Sequence, residues 1–175
     1  MIALAAVALA VSAQAASFSW KTTSTGKLYG AGTTTTLASG TAYLFDSAAV
    51  SQQAVLDAVL GGSDLSSLTS LSSSTISGGA IASATFDWGN AGDTLNAFVA
   101  IVDGDNVFIS DFKSAAGQAS STASMNFNLK TASQAAAIES TAFTSAGWYA
   151  AVPEPTSGLL MLVGLAGLAL RRRRA

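Results

Sequence analysis

The chain contains no cysteine and no histidine. Without cysteine there is no disulfide, no thiolate nucleophile and no iron–sulfur or zinc–thiolate ligand. Without histidine the remaining common zinc and haem ligand is gone, and so is the base of Ser-His-Asp and Cys-His arrangements. Carboxylate chemistry is what remains. Charge is also scarce, at 10 % of residues, with a formal net charge of −2. All four arginines are gathered at Arg171–Arg174. From Ala16 to Val152, four lysines against eight aspartates and one glutamate leave the chain near −5. A nucleic-acid surface needs a basic stripe to neutralise phosphates, and this stretch has none. Proline is almost absent, and both prolines fall within three residues, at Pro153 and Pro155.

What is present sorts into two ends and a body. Ile2–Val11 is an apolar run, followed by Ser12-Ala13-Gln14-Ala15. Small residues at Ala13 and Ala15 meet the −3/−1 requirement of a signal peptidase, so residues 1–15 are expected to be a signal peptide cleaved after Ala15. The positive charge ahead of the run is the N-terminal amine alone. At the other end stand Val152-Pro153-Glu154-Pro155, an apolar stretch from Thr156 to Leu170, and Arg171-Arg172-Arg173-Arg174. As a helix this stretch measures roughly 22 Å at ~1.5 Å per residue, short of a comfortable span. Arginine snorkelling and local bilayer thinning would close the gap. The arginines should stay cytoplasmic, which leaves the body outside. The two prolines hold the entry extended and open to a processing enzyme.

Pro153-Glu154-Pro155, a Gly/Leu/Ala helix and a terminal Arg cluster, in that order, resemble a PEP-CTERM sorting domain over residues 152–175. The resemblance implies recognition by an exosortase at the inner membrane. It also implies processing near the motif and delivery of the body to the cell surface or extracellular matrix, in bacteria that make exopolysaccharide or biofilm. It covers the tail alone and leaves the body to be read from its residues.

The body, residues 16–151, is expected to be mainly β: an antiparallel β-sandwich-like domain with one short α-helix, with a fully closed barrel as the alternative. Strands are expected near Phe18–Thr22, Lys27–Tyr29 and Thr41–Asp46. Val50, Ala54, Val55, Ala58 and Val59 recur at helical spacing before Gly61-Gly62, which predicts a helix over Val50–Leu60. Leu65, Leu68 and Leu71 alternate with serines in a low-complexity stretch, read as a short turn of helix or a loop pinned by leucines. Ala80–Trp88, Thr94–Val102 and Asn106–Phe112, separated by turn-rich segments, predict a three-strand antiparallel meander. Met125–Lys130 and Ala146–Ala151 are further strand candidates, and Thr131–Ser140 reads as a short helix or a bulged connection.

Few residues invite chemistry. Asp103, Asp105 and Asn106 carry oxygen donors suited to Ca²⁺, but the same Asp-Gly-Asp-Asn cluster is what a hairpin turn requires. Asp87, Asn90 and Asp93 read the same way. A glycosidase needs two carboxylates flanking a cleft, and the aspartates fall in expected turns or exposed strand faces. Trp20, Trp88, Trp148 and Tyr149 could stack on sugar rings or fill the core. The expectation is therefore a non-catalytic surface or matrix protein without cofactor. Its partners would be an exosortase, transiently the inner membrane, and exopolysaccharide. The alternative is a carbohydrate-binding module using exposed aromatics. Exposed tryptophans would favour the module, and buried ones the matrix protein.

Overall fold

A computed structural model describes residues 14–129 and 136–150. Eleven strands and one helix are described: β1 Ala15–Thr22, β2 Ser39–Asp46, α1 Gln52–Leu60, β3 Ser72–Ser77, β4 Ala80–Ile81, β5 Ala84–Asn90, β6 Thr94–Asp103, β7 Asn106–Ile109, β8 Lys113–Ala116, β9 Ala123–Phe127, β10 Ile138–Glu139 and β11 Gly147–Ala150. A 3-10 turn, Leu65–Ser67, follows the helix. The small sheet has the order β5-β1-β9. The large one runs β10-β11-β7-β6-β2-β3-β4, with β8 also paired to β6.

Alternation along β6 explains the layering. Leu95, Ala97, Val99 and Ile101 point to one face, toward Phe18 and Trp20 of β1 and Met125 and Phe127 of β9. Phe98 and Ala100 point to the other, toward Val55 and Leu56 of α1 and Leu65 of the 3-10 turn. Both sets are fully buried. A strand covered on both sides has no polar face, so its sequence is nearly continuous in apolar residues. The body is thus a two-sheet sandwich with a third, helical layer on the outer face of the large sheet. The two sheets stay distinct, so the closed barrel is not adopted.

Ser51 starts the helix, its side chain accepting the Ala54 N–H at 3.1 Å. Gln52, nearly buried, donates from Nε2 to the Ser110 carbonyl at 2.6 Å, tying the first turn of α1 to the large sheet. One indole hydrogen bond joins the two sheets, Trp20 Nε1 of β1 donating to Ser72 Oγ of β3 at 3.0 Å. A second, Trp148 Nε1 to the Tyr29 carbonyl at 3.0 Å, ties β11 to the loop that holds Leu28. Each ring is fully buried, worth about 1.5–3 kcal/mol of transfer free energy, and its one polar atom is satisfied.

Several sequence expectations are corrected. The three-strand meander is reduced to the β6–β7 hairpin, because β5 leaves for the small sheet and pairs with β1. The Asn90–Asp93 turn rounds a corner between sheets instead of closing a hairpin. The third strand ends at Ile109, not Phe112. There the Ser110 hydroxyl accepts the Val99 N–H at 2.8 Å, the ladder is interrupted, and the chain resumes against β6 as β8. Pairing is mixed and not purely antiparallel: β1 runs parallel to β9, and β10 to β11.

Lys27–Tyr29 forms no strand and contributes one bridge, Tyr29 to Thr36. The buried side chains of Leu28 and Leu37 hold that loop instead. Gly79 locks it: its carbonyl accepts the Leu28 N–H at 2.8 Å and its N–H donates to the Leu37 carbonyl at 2.7 Å. The leucine–serine stretch resolves into the 3-10 turn and then β3. Of Thr131–Ser140, Ile138–Glu139 is a short strand, and the part before residue 136 lies outside the described residues.

Candidate functional site

Four separate segments meet at one end of the large sheet. In β2, alternation buries Ala42 and Leu44 between the sheets and turns Tyr43 and Phe45 toward the helical layer. Phe45 stacks on Phe98 at 5.6 Å between ring centroids, and Tyr43 stacks on Phe45 at 6.4 Å with a 27° interplanar angle. Phe45 and Phe98 are fully buried, while Tyr43 is half-buried. The tyrosine ring is therefore held rigid on the core with part of its surface in solvent.

The end of α1 forms the opposite wall. Val59 and Leu60 are partly buried there, and the chain turns at Gly61-Gly62. Asp64 then caps the 3-10 turn, accepting the Ser66 N–H at 2.7 Å. That hydrogen bond holds the exposed Asp64 carboxyl below its ordinary value. Leu65, buried beneath, anchors the wall. The third side is the end of β6 and its turn to β7: Val102, 37 % exposed, then Gly104 and Asp105. Ala150, the last residue of β11, closes the fourth. Together they enclose an open groove of about 690 Å³. Among the described residues its lining contains two carboxylates and no lysine or arginine.

The candidates read from sequence are distributed unevenly. Asp103 and Asn106 pair across the foot of the β6–β7 hairpin, with Asn106 Nδ2 donating to the Asp103 carbonyl at 3.4 Å. Gly104, at φ 59°, takes the left-handed conformation the tight turn requires. Of this trio Asp105 reaches the groove. Asp93 is spent on its own turn, its Oδ2 accepting the Asn90 N–H at 2.8 Å, while Asp87 stands exposed on β5. Among the described residues no cluster of three or more acidic side chains could hold a metal.

The aromatics singled out for sugar contact are mostly interior. Trp20, Trp148 and Tyr149 are fully buried. Trp88 is half-buried and meets Phe18 edge-on at 6.0 Å. The Tyr149 hydroxyl accepts the N–H groups of Thr144 and Ser145, each at 3.0 Å, and donates to the Ser145 carbonyl at 2.5 Å, a structural clasp. Tyr43 and Asp64 were not among the sequence candidates.

Ala15, the expected residue before the cleavage point, is the first residue of β1 and lies opposite Asn90. Ala13, Pro153, Glu154, Pro155 and Arg171–Arg174 lie outside the described residues, as do the expected signal-peptide core and sorting helix. Among the described residues no helix is long and apolar enough to cross a membrane.

A family model, the PEP-CTERM protein-sorting motif, matches residues 151–174. The chain carries a PEP-CTERM tail. The match starts at the residue after Ala150, where the described residues end. A PEP-CTERM motif indicates an exported protein that engages an exosortase, with membrane-associated sorting before processing. No curated protein and no solved structure matches the chain.

Proposed function

We propose that this is a non-catalytic cell-surface or extracellular-matrix protein. On this reading the PEP-CTERM tail delivers it, an exosortase removes the tail, and the β body acts through its surface among exopolysaccharide. The single observation that carries the reading is the match of the PEP-CTERM sorting motif to residues 151–174. Every described strand lies at or before Ala150, where the described residues end, and β11 pairs there with β7. Cutting near Pro153 would therefore cost no described strand. At the other end, cleavage after Ala15 would remove one residue from β1 and leave Ala16, Phe18 and Trp20 in the core.

A non-catalytic body is supported by its chemistry. It has neither histidine nor cysteine. Glycoside hydrolysis by paired carboxylates needs an acid that keeps its proton near neutrality. Asp64, one of the two carboxylates in the groove, is fully exposed and shifted the other way. The test is to replace Pro153, Glu154 and Pro155 by alanine and follow the protein through cell fractions. Sorting through the motif predicts accumulation of the variant in the inner membrane and loss from the surface. Unchanged surface delivery would overturn the proposal.

A further inference from the structure

We infer that the groove between the end of α1 and the outer face of the large sheet binds a neutral oligosaccharide, with Tyr43 as its stacking platform and Asp64 and Asp105 as hydroxyl acceptors. The choice of an extracellular ligand rests on the export reading above, while the site is argued from its own geometry.

A pyranose offers two chemistries at once, an apolar face of C–H groups and a rim of hydroxyl donors. The groove offers the complement of each. Tyr43 provides a half-exposed ring fixed by stacking on Phe45, which rests on Phe98, so little is lost in ordering it on binding. Val59 and Val102 extend the apolar surface on either side. Asp105 makes no hydrogen bond among the described residues, and Asp64 gives one carboxylate oxygen to Ser66, so acceptor capacity remains on both. At about 690 Å³ the groove falls within the range of small-ligand sites, ~300–1,000 Å³.

The same residues exclude other occupants. Among the described residues the lining holds two carboxylates and no cation, which disfavours uronic acids, phosphates and nucleic acids. Strand addition by a peptide needs an unpaired strand edge. β2 is paired on both sides, with β3 and β6, and β11 is paired with β7 and β10. Recognition here is left to side chains, and those present suit an uncharged polyol with one apolar face.

The experiment is calorimetric titration of the full chain, purified in a detergent that is not a glycoside, with neutral hexasaccharides of glucose, mannose and galactose. Polygalacturonate serves as the charged counterpart. At least one neutral hexasaccharide is expected to bind, and polygalacturonate to bind more weakly or not at all. Tyr43→Ala should weaken binding about tenfold, the size of a lost aromatic contact. Tyr43→Phe should keep most of it, because the ring remains. Asp105→Asn changes an exposed turn residue and should weaken binding without lowering the melting temperature. It keeps the proposal testable if Tyr43→Ala is poorly folded.

Absence of binding to all three neutral hexasaccharides at millimolar concentration would overturn the assignment. So would unchanged affinity in both Tyr43→Ala and Asp105→Asn, or tighter binding of polygalacturonate. A concentration-dependent dimer abolished by Tyr43→Ala would give the groove to a second copy and also overturn it. All of these readouts are made on purified protein, so their failure leaves the sorting proposal standing, and failed sorting in cells leaves them unaffected.

Discussion

Ser110 carries more of the fold than its size suggests, and replacing it with alanine tests the ladder along β6. The residue is 5 % exposed. Its Oγ accepts the Val99 N–H at 2.8 Å and donates to the Asp111 carbonyl at 2.9 Å. Its main chain makes two more bonds, donating to the Val99 carbonyl at 2.9 Å and accepting from Gln52. Alanine keeps the main-chain pair and removes both side-chain bonds. Val99 is fully buried in the middle of the core strand, so no water replaces the lost acceptor. An unsatisfied buried N–H costs about 1–3 kcal/mol. The Asp111 carbonyl, which is only partly buried, adds less. The expected loss is about 2–3 kcal/mol, or a fall in melting temperature of roughly 5–12 °C for a body of this size. Urea unfolding gives the free energy, and amide exchange should show Val99 as the position most accelerated under native conditions. Ser110→Thr keeps the hydroxyl and should recover part of the loss. A change below about 0.5 kcal/mol in Ser110→Ala, the level of an unremarkable surface substitution, would refute the claim that this hydroxyl stands in for a strand carbonyl.

Three further outcomes follow from particular residues. Gly79→Ala should destabilise by about 3 kcal/mol or more, measured by urea unfolding. The position has φ +78°, and a methyl there would sit 2.6 Å from the Leu28 carbonyl oxygen, combining left-handed strain with a backbone clash. Asp64→Ala should flatten the acid limb of the stability–pH profile. The folded-state carboxyl lies below its ordinary value, so its contribution is present above the unfolded pKa and lost as pH falls through the folded one. The variant should therefore match wild type most closely under strongly acidic conditions, in melts followed across pH. A chain stopped after Ala150 should keep its midpoint of unfolding within about 2 °C, since every described strand and both core clusters remain.

Much of the architecture was legible because local pattern and tertiary role agree in it. β2, α1 and β6 emerge close to their expected bounds. Their apolar spacing matches the faces they bury, and Gly61 ends the helix as the sequence suggested, while the cap at Ser51 emerges from the structure. The near-continuous apolar run of β6 carried a further signal, burial on both faces, which the helical layer explains. What was not legible was partnership. Ala84, Phe86 and Trp88 alternate as an edge strand of either sheet would, and the Asn90–Asp93 turn is chemically a hairpin turn. Only long-range packing of Phe86 and Trp88 on Phe18 sends β5 to the small sheet. The parallel pair β1–β9 joins residues about a hundred positions apart, beyond the reach of periodicity.

The groove was obscured for a related reason. It is assembled from β2, the end of α1, the β6–β7 turn and the end of β11, none of which carries a motif. Asp105 was flagged, but as part of a local cluster whose other members prove to be turn residues. The tryptophans drew attention as rare large rings. Two of them are core pieces with satisfied indoles, while the ring that reaches the groove is Tyr43, placed there by the two-residue period of β2. The PEP-CTERM tail, by contrast, is a linear signal, and its order of parts was readable without any fold.

The account's central claim is that a folded β body is exported and separated from its sorting tail near Pro153. Intact-mass analysis of the protein from each cell fraction tests this most directly. The account predicts a surface or medium form that begins near Ala16 and ends close to Pro153, with the full tail confined to the inner membrane. A surface form that retains Arg171–Arg174, or a full-length tail found in the inner membrane with no shorter form elsewhere, would contradict it.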